Sequence, residues 1–299
     1  MALTINTNLS SIVAQGNLAK ATNQLNTAIE RMTTGYKINH ASDNAAGYSI
    51  ARNWDTQLGS LDVAADNAAT GADMLTTLED TYALVSSHLQ RVRDLTEQAA
   101  NGTYGSDSLK AIRSEISARL EEVDRISANC EFNGQHLMNA SIKNDINLQV
   151  GLYSSSDSQI SLAAKLFEEG DIGSLFKTYS TDSSLTDKAK VATACTGFNA
   201  DGTRATGKDP KDMLDKIDKV INEISTRTTT LGAAQNRIDS AIESIAVQSE
   251  NITSSLSTLR DADIAKESSN YIKAQILQQA ASTLLATANQ TPSIALNLI

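Results

Sequence analysis

Long stretches of the chain place apolar residues at alternating steps of three and four, the spacing of a helix that packs along a narrow seam. The most regular stretch covers 43 residues, from Ile217 to Leu259. A helix of that length extends about 65 Å at roughly 1.5 Å per residue, which is longer than a compact domain needs. We therefore predict that it packs against other long helices. Its seam positions are Ile217, Ile221, Ile224, Thr228, Leu231, Gln235, Ile238, Ile242, Ile245, Ser249, Ile252, Leu256 and Leu259.

Earlier parts of the chain repeat this spacing. The seam of a first helix ends before Gly35, and that of a second helix runs from residue 58 to residue 92. A three-residue step from Leu75 to Leu78 resembles a stammer in a coiled coil. The Asn101-Gly102 turn precedes a third helix, which we expect to fold back antiparallel on the second. The first helix contributes Leu18, Ala21, Leu25, Ala28 and Met32, and the third contributes Ile112, Ile116, Leu120 and Val123.

The middle of the chain has a different period. Residues 146–150 alternate in the strand period, and residues 159–162 do so more briefly, which predicts a β-hairpin. Residues 166–209 lose clear periodicity and are rich in Gly, Ser, Thr and Asp, so we expect a small exposed insertion there. Asp209-Pro210 is typical of an N-cap followed by proline at the first helical position.

The two ends of the chain share a lack of charge. Residues 1–19 and 274–299 contain no Asp, Glu, Lys or Arg. Twelve of the last 26 residues are Gln, Ser, Thr, Asn or Pro, so this end is too polar for a bilayer span. A narrow apolar stripe does not hold such helices folded alone, and we expect them to order against other protein. The N-terminal residues carry no basic region, so we expect no Sec-type signal peptide.

Composition argues against several classes of function. The formal net charge of −10 disfavours nucleic acid and membrane as partners, because both attract clustered Lys and Arg. Only 4% of the residues are aromatic and two are proline, which favours long helices. The histidines at positions 40, 88 and 136 are scattered, and no nucleophile, phosphate-loop or dinucleotide motif occurs. We therefore predict no enzyme, metal or cofactor, while a bridge between Cys130 and Cys195 remains open.

Three motifs resemble signatures of the bacterial flagellin family, and they occur in the order typical of that family. They are residues 31–39 with 41–47, residues 89–95 with 100–103, and residues 274–280 with 288–290. The resemblance covers roughly residues 1–165 and 210–299. Three ordered matches are far more specific than any single one, so the chain is identified as a member of this family.

The resemblance implies a mainly α fold. Long antiparallel helices would form a paired-terminus coiled coil together with a helical bundle that carries a small β-hairpin. Residues 1–44 and 257–299 would form the terminal inner-core domain. Residues 45–165 and 210–256 would form the bundle, and residues 166–209 a short surface-exposed insertion.

The resemblance also implies a function. The chain would be a structural subunit that polymerises into the flagellar filament for motility. Members of the family are exported by the flagellar type III route without a cleaved signal peptide and are extracellular in the filament. The implied partners are other copies of the chain, an export chaperone, and the cap and hook-junction proteins. A host Toll-like receptor recognises many members.

Two sets of residues are candidates for these roles. Gln90, Arg91, Leu95 and Glu115 match the receptor-recognition patch of the family. From the pattern alone, heptad seams fit the core of a monomeric bundle better than an assembly seam, and charged helix positions fit a solvated face. The charge-free ends favour assembly. The candidate assembly seam comprises Leu18, Leu25, Met32, Ile238, Ile245, Ile252, Leu259, Ile276 and Leu284.

Two other functions are open at this point. A hook–filament junction protein shares paired terminal helices but does not build long filaments. A secreted helical adhesin would dock a host helix along its seam and would not polymerise. Electron microscopy of the purified chain distinguishes both from a filament subunit.

Overall fold

The computed structural model describes residues 7–139, 142–179, 185, 187–201, 203–205, 207 and 209–296. Within these residues the chain forms seven α-helices and two small antiparallel strand pairs, so the predicted mainly α fold is confirmed. The helices are α1 (Leu9–Thr34), α2 (Ala45–Ala100), α3 (Ser106–Asn129), α4 (Ile172–Tyr179), α5 (Lys188–Thr196), α6 (Pro210–Arg260) and α7 (Ile264–Leu296). The strands are β1 (Glu131–Phe132), β2 (Gln135–His136), β3 (Ile146–Gln149) and β4 (Gln159–Leu162).

Packing divides the chain into two compact units. Unit 1 comprises residues 1–59 and 248–299, and unit 2 comprises residues 60–247. Both boundaries fall inside long helices, α2 and α6. The ends of the predicted terminal domain, residues 1–6 and 297–299, lie outside the described residues. The three-part domain division therefore remains a proposal.

Unit 1 is built on the antiparallel pair of α1 and α7, as the resemblance predicted. Alanine occupies the buried positions between the two helices. Because alanine is small, the two backbones approach closely, and the interface buries little apolar area per residue. The buried apolar residues are Ala14, Ala21 and Ala28 of α1 and Ala274 and Ala281 of α7.

The end of α1 is hydrogen-bonded to the connection between α6 and α7. Gly35 closes α1 in the left-handed region, with a φ of 75°, which glycine adopts without strain. Tyr36 then forms an antiparallel bridge with Asp261. The Ala262 amide donates to the Gly35 carbonyl at 2.8 Å. These bonds fix the point at which α1 ends relative to the point at which α7 begins.

Unit 2 is a bundle with one large apolar core. Arg91 of α2 contacts Glu115 of α3, and Thr81 contacts Cys130 just after α3, so α3 runs antiparallel to α2, as predicted. Both residues at the three-residue step of α2, Leu75 and Leu78, are fully buried. Large side chains fill the core, among them Tyr82, Phe167, Phe176, Leu89, Ile116 and Leu120.

Helix α6 confirms the longest helix that the sequence predicts, the one that contains residues 217–259. It begins at Pro210, and the Asp209 carboxylate accepts a hydrogen bond from the Lys211 amide at 3.0 Å, as an N-cap residue does. None of its thirteen predicted seam positions is exposed. Every seventh residue of the first part of the seam is buried: Ile217, Ile224, Leu231, Ile238 and Ile245.

The predicted hairpin is formed by β3 and β4, which pair antiparallel with Leu148 opposite Ile160. It lies against α2, where Asn67 Nδ2 donates to the Gln149 carbonyl at 3.2 Å. A Cβ at Gly71 would overlap the Leu148 side chain, so a larger residue there would displace the tip of that side chain. A second, shorter pair, β1 with β2, encloses the Asn133-Gly134 turn.

The prediction of an exposed insertion at residues 166–209 is wrong with respect to burial. This segment contains α4 and α5, and their apolar faces belong to the core of unit 2. Asp124 of α3 accepts a hydrogen bond from the Ile172 amide at 2.9 Å and pairs with Lys188 at 3.6 Å, which ties both helices to the bundle. Helices of eight and nine residues are too short to establish a visible period.

The two cysteines are free thiols, so the bridge left open by the sequence is not formed. The Cys130 thiol donates to Thr81 Oγ1 at 3.4 Å, whereas Cys195 is hydrogen-bonded to Thr96. Thr81 and Thr96 lie four turns apart on α2, about 22 Å at roughly 1.5 Å per residue. A disulfide requires Cα atoms within about 7 Å of each other, so the two thiols are too distant to pair.

Candidate assembly surfaces and outer helix patch

The terminal helix pair exposes large aliphatic side chains along most of its length. The alanine interface uses the small residues, so the larger ones face outward. Such an apolar surface is typical of a protein–protein contact. The exposed residues are Leu9, Ile12, Val13 and Ile29 of α1 and Ile264, Ile272, Ile276, Leu277 and Leu284 of α7.

A groove with a volume of about 290 Å³ runs between the two helices. Leu277 and Leu284 form its apolar side, and Lys20 is the charged residue that lines it. The remaining lining residues are Ala14, Asn17, Ala21, Gln24, Ala280 and Ala281. The groove extends the apolar surface into the space between the helices.

The structure separates the predicted assembly seam into three environments. Leu18, Leu25 and Met32 of α1 are half-buried, as are Ile252 and Leu259 of α6. Ile276 and Leu284 of α7 are exposed, at 61% and 62%. Ile238 and Ile245 are buried inside unit 2, so they pack within the subunit and do not face a partner.

Two polar contacts cross the middle and the base of the terminal pair. Gln278 Nε2 donates to Thr22 Oγ1 at 3.2 Å. Arg31 lies 3.7 Å from Glu267, which is buried although it is charged. The sequence pattern did not predict these two contacts, because none of the four residues interrupts the apolar spacing.

A cluster of charged and aromatic residues surrounds the connection after α1. Arg260 donates to the Asp55 carboxylate at 2.9 Å, and its guanidinium lies 4.1 Å from the centroid of the Tyr36 ring. The His40 amide donates to Asp43 at 3.0 Å and holds the pKa of that carboxyl below its usual value. These bonds explain why the motif at residues 31–47 is rich in polar residues: its side chains order a tight connection.

The candidate receptor patch lies where α2 and α3 meet. Arg91 donates to Glu115 at 3.0 Å, and both side chains are partly exposed, as is Gln90. Leu95 is only 2% exposed, so it supports the patch from the core and does not form part of the surface. Arg93, two residues after Arg91 on α2, forms an ion pair with Asp218 of α6 at 2.5 Å.

Sequence reasoning missed a buried arginine in unit 2. Arg227 of α6 donates to Glu168 Oε2 at 2.8 Å and to Glu223 at 3.3 Å. It also approaches the Tyr82 hydroxyl, which donates to the Leu166 carbonyl at 3.1 Å. Burial raises the pKa of Tyr82, and the Arg227 charge opposes that rise. The cluster joins α2, α6 and the start of the 166–209 segment.

The described residues contain no group of three or more His, Cys, Asp or Glu side chains arranged to hold a metal ion. Among the helices whose residues are described, none combines the length and apolarity that crossing a membrane requires. The chemistry of the surface is that of protein–protein contact. The fold and surface thus define a helical subunit whose terminal helix pair exposes a row of large aliphatic side chains.

Comparison with known proteins gives the family. The model of the bacterial flagellin N-terminal helical region matches residues 5–143, and that of the C-terminal helical region matches residues 214–299. Together these matches cover most of the chain. The chain belongs to the bacterial flagellin family. It is a structural subunit of the flagellar filament, which is extracellular.

Relatives match over their whole length. The chain is 32% identical to a flagellin of Bacillus subtilis over 99% of both chains and 34% identical to a flagellin of Xenorhabdus nematophila over 100% of both. A solved structure described as a flagellar hook-associated protein from Vibrio parahaemolyticus aligns with a TM-score of 0.58 at 12% identity. That alignment covers 73% of this chain and all of the other, and it shows a shared fold alone. The full-length relatives favour the filament subunit over the junction protein and the adhesin.

Proposed function

We propose that the subunits polymerise through unit 1, whose exposed aliphatic side chains bury against the terminal helices of neighbouring copies. The observation that carries this proposal is the contrast in size between buried and exposed residues. Alanine lies between α1 and α7, whereas leucine and isoleucine face outward. The outer turns of both helices also lack charged residues, so a neighbouring copy meets no uncompensated charge there.

The expected energy is sufficient for assembly. Burying one Leu or Ile side chain stabilises by about 1.5–3 kcal/mol. Several such residues per copy offset the loss of translational and rotational freedom, which is about 4–15 kcal/mol for each association. Alanine packing within one subunit supplies much less, so the terminal helices gain most of their stability from neighbours.

The test is an aspartate at Leu284, which would place a charge in the proposed contact. We expect Leu284→Asp to abolish seeded polymerisation or to raise its critical concentration at least a hundredfold, because a buried unpaired charge costs several kcal/mol. Tyr153→Asp is the matched control, since it adds the same charge at an exposed apolar residue of unit 2. The control should polymerise like the wild type. Normal polymerisation of Leu284→Asp would contradict the proposal.

For secretion, we infer export by the flagellar type III route with an export chaperone, followed by contact with the cap and hook-junction proteins. Membership of the flagellin family supports this inference. Its test is secretion of the chain in a host that lacks the flagellar export apparatus and in one with impaired Sec export. We expect secretion to stop in the first host alone. Continued secretion in the first host would refute the route.

We also propose that Gln90, Arg91 and Glu115 form a surface that a host Toll-like receptor recognises, with Leu95 supporting it from the core. The match to the family patch and the exposure of Arg91 support this proposal. In a reporter-cell assay with monomeric protein, Arg91→Ala should lose at least tenfold in potency. Arg125→Ala is the control, because Arg125 is an exposed arginine of α3 that is paired with Glu122. Equal silence of wild type and Arg91→Ala, or equal potency, would refute the proposal.

A further inference from the structure

The chain contains two Asn-Gly pairs, Asn101-Gly102 and Asn133-Gly134. An asparagine side chain that precedes glycine is open to attack by the following backbone amide, because glycine has no Cβ to shield its nitrogen and leaves the backbone free to turn. All four residues are exposed. The sequence does not distinguish the two pairs, whereas the structure places them in connections of different rigidity.

Asn101-Gly102 lies in the connection between α2 and α3, directly after the last residue of α2. The Asn101 Oδ1 accepts a hydrogen bond from the Thr103 amide at 3.2 Å. Such an Asx turn folds the side chain back over the intervening Gly102 peptide, and the donor withdraws electron density from the side-chain carbonyl carbon. A Cβ at Gly102 would meet no atom within 4 Å, so the peptide has room to turn towards that carbon.

Asn133-Gly134 is held by strand pairing instead. It connects β1 to β2, in which Phe132 pairs with Gln135. Asn133 has a φ of 49° and Gly134 a φ of 77°, so both lie in the left-handed region that two-residue hairpins favour. Ring closure requires rotation about the Cα–C bond of the asparagine, which would break the pairing. Asn101 belongs to no strand pair in the described part of the chain, so no pairing opposes the same rotation there.

We propose that Asn101 is a site of spontaneous deamidation and that the hairpin protects Asn133 from the same reaction. The Gly102 amide nitrogen loses its proton and attacks Asn101 Cγ, the Cγ–Nδ2 bond breaks, and the side-chain amide takes up a proton and leaves as ammonia. The product is a succinimide ring. Water then adds to either carbonyl carbon of the ring and opens it, which gives aspartate or isoaspartate. The reaction takes place within a single chain, so it does not depend on assembly through unit 1.

Either product changes the end of α2. The new carboxylate lies beside the last carbonyl groups of the helix, whose partial negative charge repels it. In isoaspartate the backbone runs through the former side chain, so the connection between α2 and α3 gains a methylene group. Gln98 Nε2 donates to the Tyr104 hydroxyl at 2.8 Å across this connection, and we expect the longer backbone to break that bond.

The test follows both pairs in the full-length chain during incubation at mildly alkaline pH, which favours loss of the glycine amide proton. Trypsin separates the two asparagines into peptides 94–110 and 126–143. Tandem mass spectrometry then assigns each conversion of amide to acid to its residue. In the folded chain we expect Asn101 to react on the order of tenfold faster than Asn133, because reaction at Asn133 requires the strand pair to open.

Unfolding should remove the difference between the two pairs. In guanidinium chloride the two rates should agree within about twofold, because each pair then lies in a flexible chain. Gly102→Ala should slow the reaction at Asn101 on the order of tenfold, since its Cβ shields the amide, and should leave Asn133 unchanged. Equal rates in the folded chain, or a faster reaction at Asn133, would overturn the proposal. So would an Asn101 that stays intact in the folded chain while it reacts in the denaturant.

Discussion

The two units of this flagellin bury different kinds of residue. Unit 2 surrounds a core of Leu, Ile, Val, Phe and Tyr, whereas unit 1 buries mostly alanine and leaves its larger aliphatic residues exposed. The free energy gained by burying apolar residues grows with the apolar area that is buried. Unit 2 therefore buries the apolar area that a self-sufficient fold needs, whereas the terminal pair buries too little. The same helical period therefore produces a core in unit 2 and an exposed apolar surface on the terminal pair of unit 1.

The most severe way to break this comparison is to remove one terminal helix. Deleting residues 274–299 should abolish polymerisation, because it removes the exposed row of α7 and leaves α1 without its partner. Unit 2 should keep its thermal unfolding midpoint, since its core lies within residues 60–247. Electron microscopy after seeding and a circular dichroism melt provide the two measurements. Filaments of normal length from the truncated chain would refute the role of unit 1.

A pair of leucines sharpens the comparison. Leu78→Ala should lower the free energy of unfolding by about 2–5 kcal/mol, because Leu78 is fully buried in unit 2. Leu284→Ala should change that of the unassembled chain by less than about 0.5 kcal/mol and should weaken polymerisation instead. Urea denaturation of the monomer and seeded assembly measure the two effects. If Leu284→Ala destabilised the monomer as much as Leu78→Ala, the contrast between the buried core of unit 2 and the exposed surface of unit 1 would be wrong.

The buried arginine tests whether polar contacts hold the 166–209 segment on unit 2. Arg227→Met should destabilise the monomer by about 1–3 kcal/mol, because Glu223 and the Tyr82 hydroxyl lose a partner. Glu168 is partly exposed and regains water, so a larger loss is not expected. Arg125→Met, at an exposed pair with Glu122, should change stability by less than about 0.5 kcal/mol in the same urea titration. Equal effects would show that burial of Arg227 has no energetic consequence.

The effect that is absent at neutral pH concerns the alkaline stability of unit 2. Burial raises the pKa of the Cys195 thiol to about 12, from a value of 9.0 in the absence of burial. Between these values the unfolded chain releases a proton that the folded chain retains, so stability falls by about 1.4 kcal/mol per pH unit as pH rises. In Cys195→Ala, the free energy of unfolding should fall less steeply with rising pH, because this thiol no longer contributes. An identical slope in both chains from pH 9 to 11 would mean that the thiol titrates alike when folded and unfolded.

Part of the site was predictable from sequence, and part was not. The pattern identified the long α6 seam and the hairpin, because each repeats its period over enough residues. It failed at α4 and α5, which are too short to show a period, and at Leu95, whose burial depends on the partner helix. Arg227 was invisible, since its position looks like that of any charged residue on a helix.

The sequence by itself determined that this protein is helical, that its ends avoid charge, and that it carries the three ordered motifs of flagellin. These properties are local, because spacing and residue type are read along one chain. Only the tertiary structure decided which side of each helix meets the other helix. It assigned alanine to the contact between α1 and α7 and the larger residues to the outside. It also brought Asn8 to Ala288, two residues 280 positions apart. A three-four spacing cannot distinguish those outcomes, because the identity of the packing partner is set by the whole fold.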